Sequence, residues 1–245
     1  MLCRCYHAWR LPQGIASERQ WFVTSRDNTG PVRSIFVTEP VRHPLFARFY
    51  AWLAPLEDMA GVAEHRRDLV SGLRGEVLEL GVGTGLSFRH YPPEVERLRA
   101  VEPEPTMRSK AIKTAREVAL DVHVVHGTAD ALPVPDDSVD SVVVSQVLCS
   151  VPDQALALAE VRRVLRPGGE LRFYEHVLSP HEAGRRVQRA LDASIWPPMM
   201  GGCNLSRDTA TAIGAAGFEI QALRRFRMGP TPAGPHILGA AIAPL

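Results

Sequence analysis

The residues best suited to chemistry in this chain gather at a few spacings. Val77-Leu78-Glu79-Leu80 is a short apolar run carrying one carboxylate, and Gly81, Gly83 and Gly85 follow it at alternate positions. Such a run makes a buried parallel strand, and a turn without side chains lets the backbone approach a bound ligand, as in loops that hold nucleotide-type cofactors. The dinucleotide fingerprint requires its third glycine one residue later, where Leu86 stands. An ordinary strand-to-helix turn is the alternative reading of the same glycines. Farther on, Glu175 and His176 follow Leu171-Arg172-Phe173-Tyr174. A carboxylate or imidazole at the carboxyl end of a parallel strand is placed to act as a general base, and strand alternation turns only one of the pair toward a pocket. His176 is the first choice, with Glu175 second.

Elements that would position these groups alternate along the chain. Strands are expected at 76–80, 97–102, 121–126, 139–145 and 170–176, with helices between them at 106–118 and 153–165, an order that builds a parallel sheet covered on both faces. Asp153 is placed to cap the second of those helices, and Arg166-Pro167-Gly168-Gly169 to stop it. Ser179-Pro180-His181-Glu182 reads as a capping box opening a helix toward Ala193. A helix at 206–216 and strands near 218–227 and 236–243 complete the pattern, the last two as an antiparallel pair at one sheet edge. Residues 1–36 show no periodicity and read as a poorly ordered leader. From His43, Leu45, Phe46, Phe49, Tyr50, Trp52 and Leu53 recur at helical spacing, and a second helix follows at 61–73. Few basic residues accompany the aromatic stripe, which favours lid helices over 43–73 rather than a membrane-surface helix. Phe46 and Tyr50, with Trp196 and Cys203 from the C-terminal third, are candidates for an apolar substrate pocket; inert packing is the alternative for a buried thiol.

The ordered blocks between Gly75 and Val177 carry a resemblance. Glu79-x-Gly81-x-Gly83-x-Gly85, Ala100-Val101-Glu102, Gly127-Thr128-Ala129-Asp130-Ala131-Leu132-Pro133, the strand ending Ser145-Gln146, and Arg163-Val164-Leu165-Arg166-Pro167-Gly168-Gly169 together resemble the class I S-adenosylmethionine-dependent methyltransferases. Val147–Pro152, Phe173–Val177 and Gly202–Arg207 look like the alkyl thiol methyltransferase branch. The resemblance implies an α/β, Rossmann-like fold: a doubly wound, mostly parallel seven-stranded sheet of order 3-2-1-4-5-7-6 with one antiparallel edge strand, in a domain spanning 37–245. It implies S-adenosylmethionine as cofactor, S-adenosylhomocysteine as product, and no metal. Glu79 and the three glycines would form the cofactor loop, and Glu102, 17 positions past Gly85, would accept from the ribose hydroxyls. Met107 would lie on the adenine face, with Thr128, Ala129 and Asp130 at its edge, and Ser145 and Gln146 would border the methionine moiety. Thr128 stands where the family usually has aspartate. The implied activity moves a methyl group to a small, apolar acceptor, with thiol sulfur favoured. Methylation of oxygen, nitrogen or carbon, as in quinone biosynthesis, and cofactor binding without turnover are the alternatives.

Composition narrows the partners. Lys+Arg 28 against Asp+Glu 27 leaves a net charge of +1, so no global field recruits nucleic acid, and the expected partner is a small molecule. No apolar run reaches the ~18 residues that span a bilayer, which leaves at most weak peripheral membrane contact. Neither a secretory segment nor a disulfide framework is apparent, so a cytoplasmic enzyme is expected, as monomer or homodimer. Cys3-x-Cys5-x-His7 is half of a metal site with no second pair at suitable spacing.

Overall fold

A computed structural model describes residues 61–245. Expectations for the leader and for the helix at 43–60, including Phe46 and Tyr50, lie outside the described residues. The elements are α1 (Ala63–Val70), β1 (Gly75–Leu80), β2 (Val95–Val101), α2 (Pro105–Ala115), β3 (Val122–Val125), β4 (Val139–Ser145), α3 (Gln154–Val164), β5 (Leu165–His176), α4 (Glu182–Asp192), α5 (Trp196–Met199), α6 (Thr209–Ala215), β6 (Glu219–Arg227) and β7 (Pro235–Ile242). One seven-stranded sheet runs β3-β2-β1-β4-β5-β7-β6. The first five strands pair in parallel, and β7 lies antiparallel between β5 and the largely exposed edge strand β6.

Strand alternation divides the core into two layers. Leu78, Leu80, Val142, Val144, Leu171 and Phe173 bury on the face covered by Leu158 and Val161 of α3 and Ile213 of α6. Val77, Leu98, Val143 and Tyr174 bury on the other, under Leu69 and Val70 of α1 and Ala111 of α2. Because both faces are covered, β1 and β4 are apolar almost throughout, the property that makes them legible as short runs.

Helix starts follow local hydrogen bonding. Asp153 caps α3 by accepting from the Ala155 and Leu156 N–H groups at 2.7 and 3.2 Å. α2 begins at Pro105 because Glu104 accepts from the Met107 N–H at 2.8 Å. The expected capping box at Ser179 does not form. Ser179 Oγ accepts from the His181 N–H at 3.2 Å, the helix starts only at Glu182, and the Glu182 carboxylate pairs with Arg185 and Arg186. The cause is Gln188, whose buried amide accepts from the Ser179 N–H and donates to the Val177 and Pro232 carbonyls, holding residues 177–179 extended. β5 also starts earlier than expected. Leu165 pairs with Val139 before the register shifts at the Pro-Gly-Gly segment, so helix α3 passes into strand without a loop.

Gly239 is where the antiparallel strand meets its neighbours most closely. A Cβ there would lie 2.6 Å from Phe173 Cζ and closer still to the Ala222 carbonyl oxygen. Gly239→Ala is therefore expected to cost about 2 kcal/mol or more, read as a lower urea midpoint at unchanged slope; a midpoint equal to wild type would show that the strands can part without penalty.

Candidate active site

The carboxyl ends of β1, β2, β4 and β5 gather most of the expected residues on one side of the sheet, where open α/β sheets bind ligands. Gly81, Gly83 and Gly85 all have positive φ, at 67°, 56° and 82°. Two of them are required by the protein's own packing: a Cβ on Gly81 would lie 2.5 Å from Val147 Cγ2, and one on Gly85 2.5 Å from the Phe88 ring. Gly83 offers its N–H to Glu102 Oε2 at 2.8 Å, and Glu102 Oε1 accepts from the Glu104 N–H at 2.9 Å. The loop after β1 and the carboxylate after β2 thus form one unit, steadied by the Thr114 hydroxyl on the Thr84 carbonyl and by Arg108 on the carbonyls of Glu102 and Pro103.

Burial pushes the Glu102 carboxyl up to about 7, against the two N–H bonds that favour its charge. Glu79, 2 % exposed beneath the loop, accepts from the Tyr91 hydroxyl at 3.0 Å. Burial raises it also to about 7, opposed by hydrogen bonds from Ser87 and Tyr91 and by the Arg66 charge. Met107 is buried in the first turn of α2. Past β3, Thr128 and Ala131 form an isolated bridge that leaves Asp130 exposed and Ala129 packed on the core.

Ser145 ends β4, and Gln146 adopts φ 58°, a left-handed conformation of the kind that costs non-glycine residues roughly 1–3 kcal/mol and concentrates at functional sites. Its N–H donates to the Tyr174 carbonyl at 2.7 Å. The kink aims the next three N–H groups at Glu175, whose Oε1 accepts from Val147 and Leu148 at 2.9 and 3.0 Å and whose Oε2 accepts from Cys149 at 3.1 Å. Glu175 is fully buried, and burial lifts its carboxyl to about 6 against those three bonds. The expectation of Glu175 as a base is corrected by these partners: its oxygens hold the 147–149 turn in place.

His176 faces the other way. Its Nδ1 lies 3.5 Å from Cys203 Sγ and 3.9 Å from Cys149 Sγ, and its ring packs 4.4 Å from that of His236. Burial lowers His236 to about 4, aided by the neighbouring His176 charge. The Cys149 thiol, then His176, draws Cys203 below the usual thiol range, and the Trp196 indole adds to this from outside hydrogen-bond geometry; Cys149 is pushed well above that range. Trp196 opens the short α5 and packs with Met200 and Leu191 around both cysteines and Leu205. Cys149 had not been singled out; its place at a strand end, three residues past the kinked Gln146, was the available signal.

Comparison with known proteins adds the relatives. Residues 78–173 match the family described as "Methyltransferase domain". The chain is 34% identical over 217 residues to the human protein named thiol S-methyltransferase TMT1B, covering 83% of this chain and 88% of that protein. It is 35% identical over 195 residues to human thiol S-methyltransferase TMT1A, covering 74% and 79%. A solved S-adenosylmethionine-dependent methyltransferase of Thermotoga maritima shares the fold at TM-score 0.62 and 23% identity, over 81% of this chain and 98% of the other.

Proposed function

From the premise that this chain belongs to the S-adenosylmethionine-dependent methyltransferases, in the family of the TMT1 proteins, we propose that it methylates the sulfur of small, apolar thiols. The observation that carries the site assignment is the Glu102 carboxylate. Each of its oxygens accepts one backbone N–H, which fixes the group yet leaves each oxygen a further lone pair, enough for two ribose hydroxyls. That is the fit the cofactor requires. Gly81, Gly83 and Gly85, with Glu79 beneath them, would line the approach to the methionine moiety together with Ser145 and Gln146. Met107, Thr128, Ala129 and Asp130 would border the adenine.

Bound S-adenosylmethionine supplies an electrophilic methyl group whose bond to sulfur breaks as the acceptor's bond forms, the electron pair remaining on a neutral thioether that needs no proton. The chain's part is alignment and exclusion of water. Trp196 and Cys203 would form the apolar wall of the acceptor site. His176 would favour the deprotonated acceptor, a modest task for a thiol whose free pKa is about 8.5. Thiol acceptors are favoured over phenols, amines and ring carbons because the thiol methyltransferase relatives align over most of their own length.

Incubation with methyl-labelled S-adenosylmethionine and a panel of thiols, phenols and amines tests this. Label on thiols is expected; label confined to oxygen, nitrogen or carbon, or no S-adenosylhomocysteine at all, would overturn it. His176→Ala is expected to lower kcat by about 10–100-fold with cofactor affinity within about twofold of wild type. Unchanged kcat would remove His176 from the chemistry.

A further inference from the structure

Cys149, His176 and Cys203 come from separate segments, each cysteine 27 residues from the histidine, and their ligand atoms all lie within 4.8 Å of one another. Tetrahedral zinc, with bonds of about 2.3 Å to sulfur and 2.0–2.1 Å to nitrogen, requires sulfur-to-nitrogen edges of about 3.5–3.6 Å and sulfur-to-sulfur edges near 3.8 Å. The observed sulfur-to-nitrogen separations are 3.5 and 3.9 Å, so an ion could be seated with shifts of a few tenths of an ångström. We propose that Cys149, Cys203 and His176 form a site for a thiophilic divalent cation of the zinc class, whose open fourth position takes the acceptor sulfur as thiolate. The inference rests on the thiol methyltransferase reading and gives the means by which His176 favours the thiolate.

The surroundings are built to hold three ligands still. Glu175 fixes the Cys149 N–H, and the Cys149 carbonyl accepts from the Asn204 N–H at 2.8 Å, tying one cysteine segment to the other. Asp192 accepts from the Leu205 and Ser206 N–H groups and the Ser206 hydroxyl, anchoring the residues after Cys203. Outer partners of this kind orient ligands and hold a site open in its final geometry. A second observation points to a ligand: Trp196 Nε1 is buried without a hydrogen-bond partner among the described residues, in the shell packed around both sulfurs. A sulfur in the fourth position would offer it an acceptor.

The chemistry balances without a redox step. Cys149, Cys203 and the acceptor each release a proton to solvent on binding, and two protein thiolates neutralise the dication. The third sulfur keeps a lone pair for the methyl carbon, and the departing thioether keeps the electrons of the broken bond. The methylated product is a neutral thioether, a weaker ligand than a thiolate, and would leave.

Full-length protein purified under reducing conditions, stripped with chelator and titrated with Co²⁺ or Zn²⁺ in the absence of cofactor and acceptor, tests the site apart from methyl transfer. Expected are about one ion per chain and, for Co²⁺, the strong visible bands of a tetrahedral thiolate site. A small thiol should intensify the sulfur-to-cobalt charge-transfer band and the matching alcohol should not. Cys203→Ala and His176→Asn should each weaken Co²⁺ binding by about tenfold or more, with S-adenosylhomocysteine affinity by calorimetry kept as proof of folding. Failure of the wild type to retain either ion, or equal retention by folded variants, would overturn the proposal. Thiol methylation by protein that binds neither ion would refute the metal site while leaving the activity standing.

Discussion

Glu175→Ala should lower the stability of the protein by about 3–5 kcal/mol, because it strands three buried N–H groups at ~1–3 kcal/mol apiece, less what entering water recovers. For a domain of this size that corresponds to a fall in Tm of roughly 8–15 °C, measurable by calorimetry. The loss arises from geometry: Gln146 in its left-handed conformation points the N–H groups of Val147, Leu148 and Cys149 at one carboxylate. Glu175→Gln separates support from catalysis. Its amide oxygen can still serve Val147 and Leu148, but its NH₂ group would face the Cys149 N–H, donor against donor, so an intermediate loss of Tm is expected. A Gln variant with wild-type Tm and lost turnover would instead make Glu175 the base. Burial holds the folded pKa of this group at about 6, above the model value of 4.5. The folded form therefore keeps a proton that the unfolded chain gives up, and this group's contribution to stability is full below about pH 4.5 and is lost as pH rises through about 6.

Glu102→Gln should weaken S-adenosylmethionine binding by about 1.5–3 kcal/mol, the usual loss when hydrogen bonds to a charged acceptor become neutral ones. The pH profile adds a sharper mark. In the free protein burial holds Glu102 near 7, whereas hydroxyl donors from a ribose favour the carboxylate. Binding should therefore release a proton, and affinity should fall below about pH 7, approaching tenfold per unit if this group alone titrates. Glu79, also raised to about 7, lies under the same loop, so the Gln variant should show a flatter profile rather than a flat one. Calorimetry across that range checks it. Identical profiles in wild type and variant would detach Glu102 from the ribose.

How much of this the sequence disclosed follows from where the physics is local. β1 and β4 were readable because a strand buried on both faces is a continuous apolar run, and α3 because Asp153 caps its own next turn. The start of α4 was not, since it is decided by Gln188 reaching back nine residues to the Ser179 N–H. The cofactor loop was legible in its glycines, but the reason for two of them was not: Val147 and Phe88 crowd Gly81 and Gly85 from elsewhere in the fold. Glu175 and His176 were recognisable as chemistry-bearing, but their division of labour depends on the kink at Gln146. Cys149 meets Cys203 and His176 only when the 147–149 turn, the end of β5 and the segment after α5 converge, a meeting that no motif spacing encodes.

The seat of β7 between β5 and β6 bears on how the molecule is born. On the ribosome, residues 219–227 emerge before 235–242, so β6 must wait without its only partner while the flank of β5 also stands open. During that interval the nascent chain exposes two unsatisfied strand borders that another copy could invade. Arg224, Arg225 and Arg227 crowd the waiting strand, and mutual repulsion between such borders guards the polypeptide until its own later segment slides home.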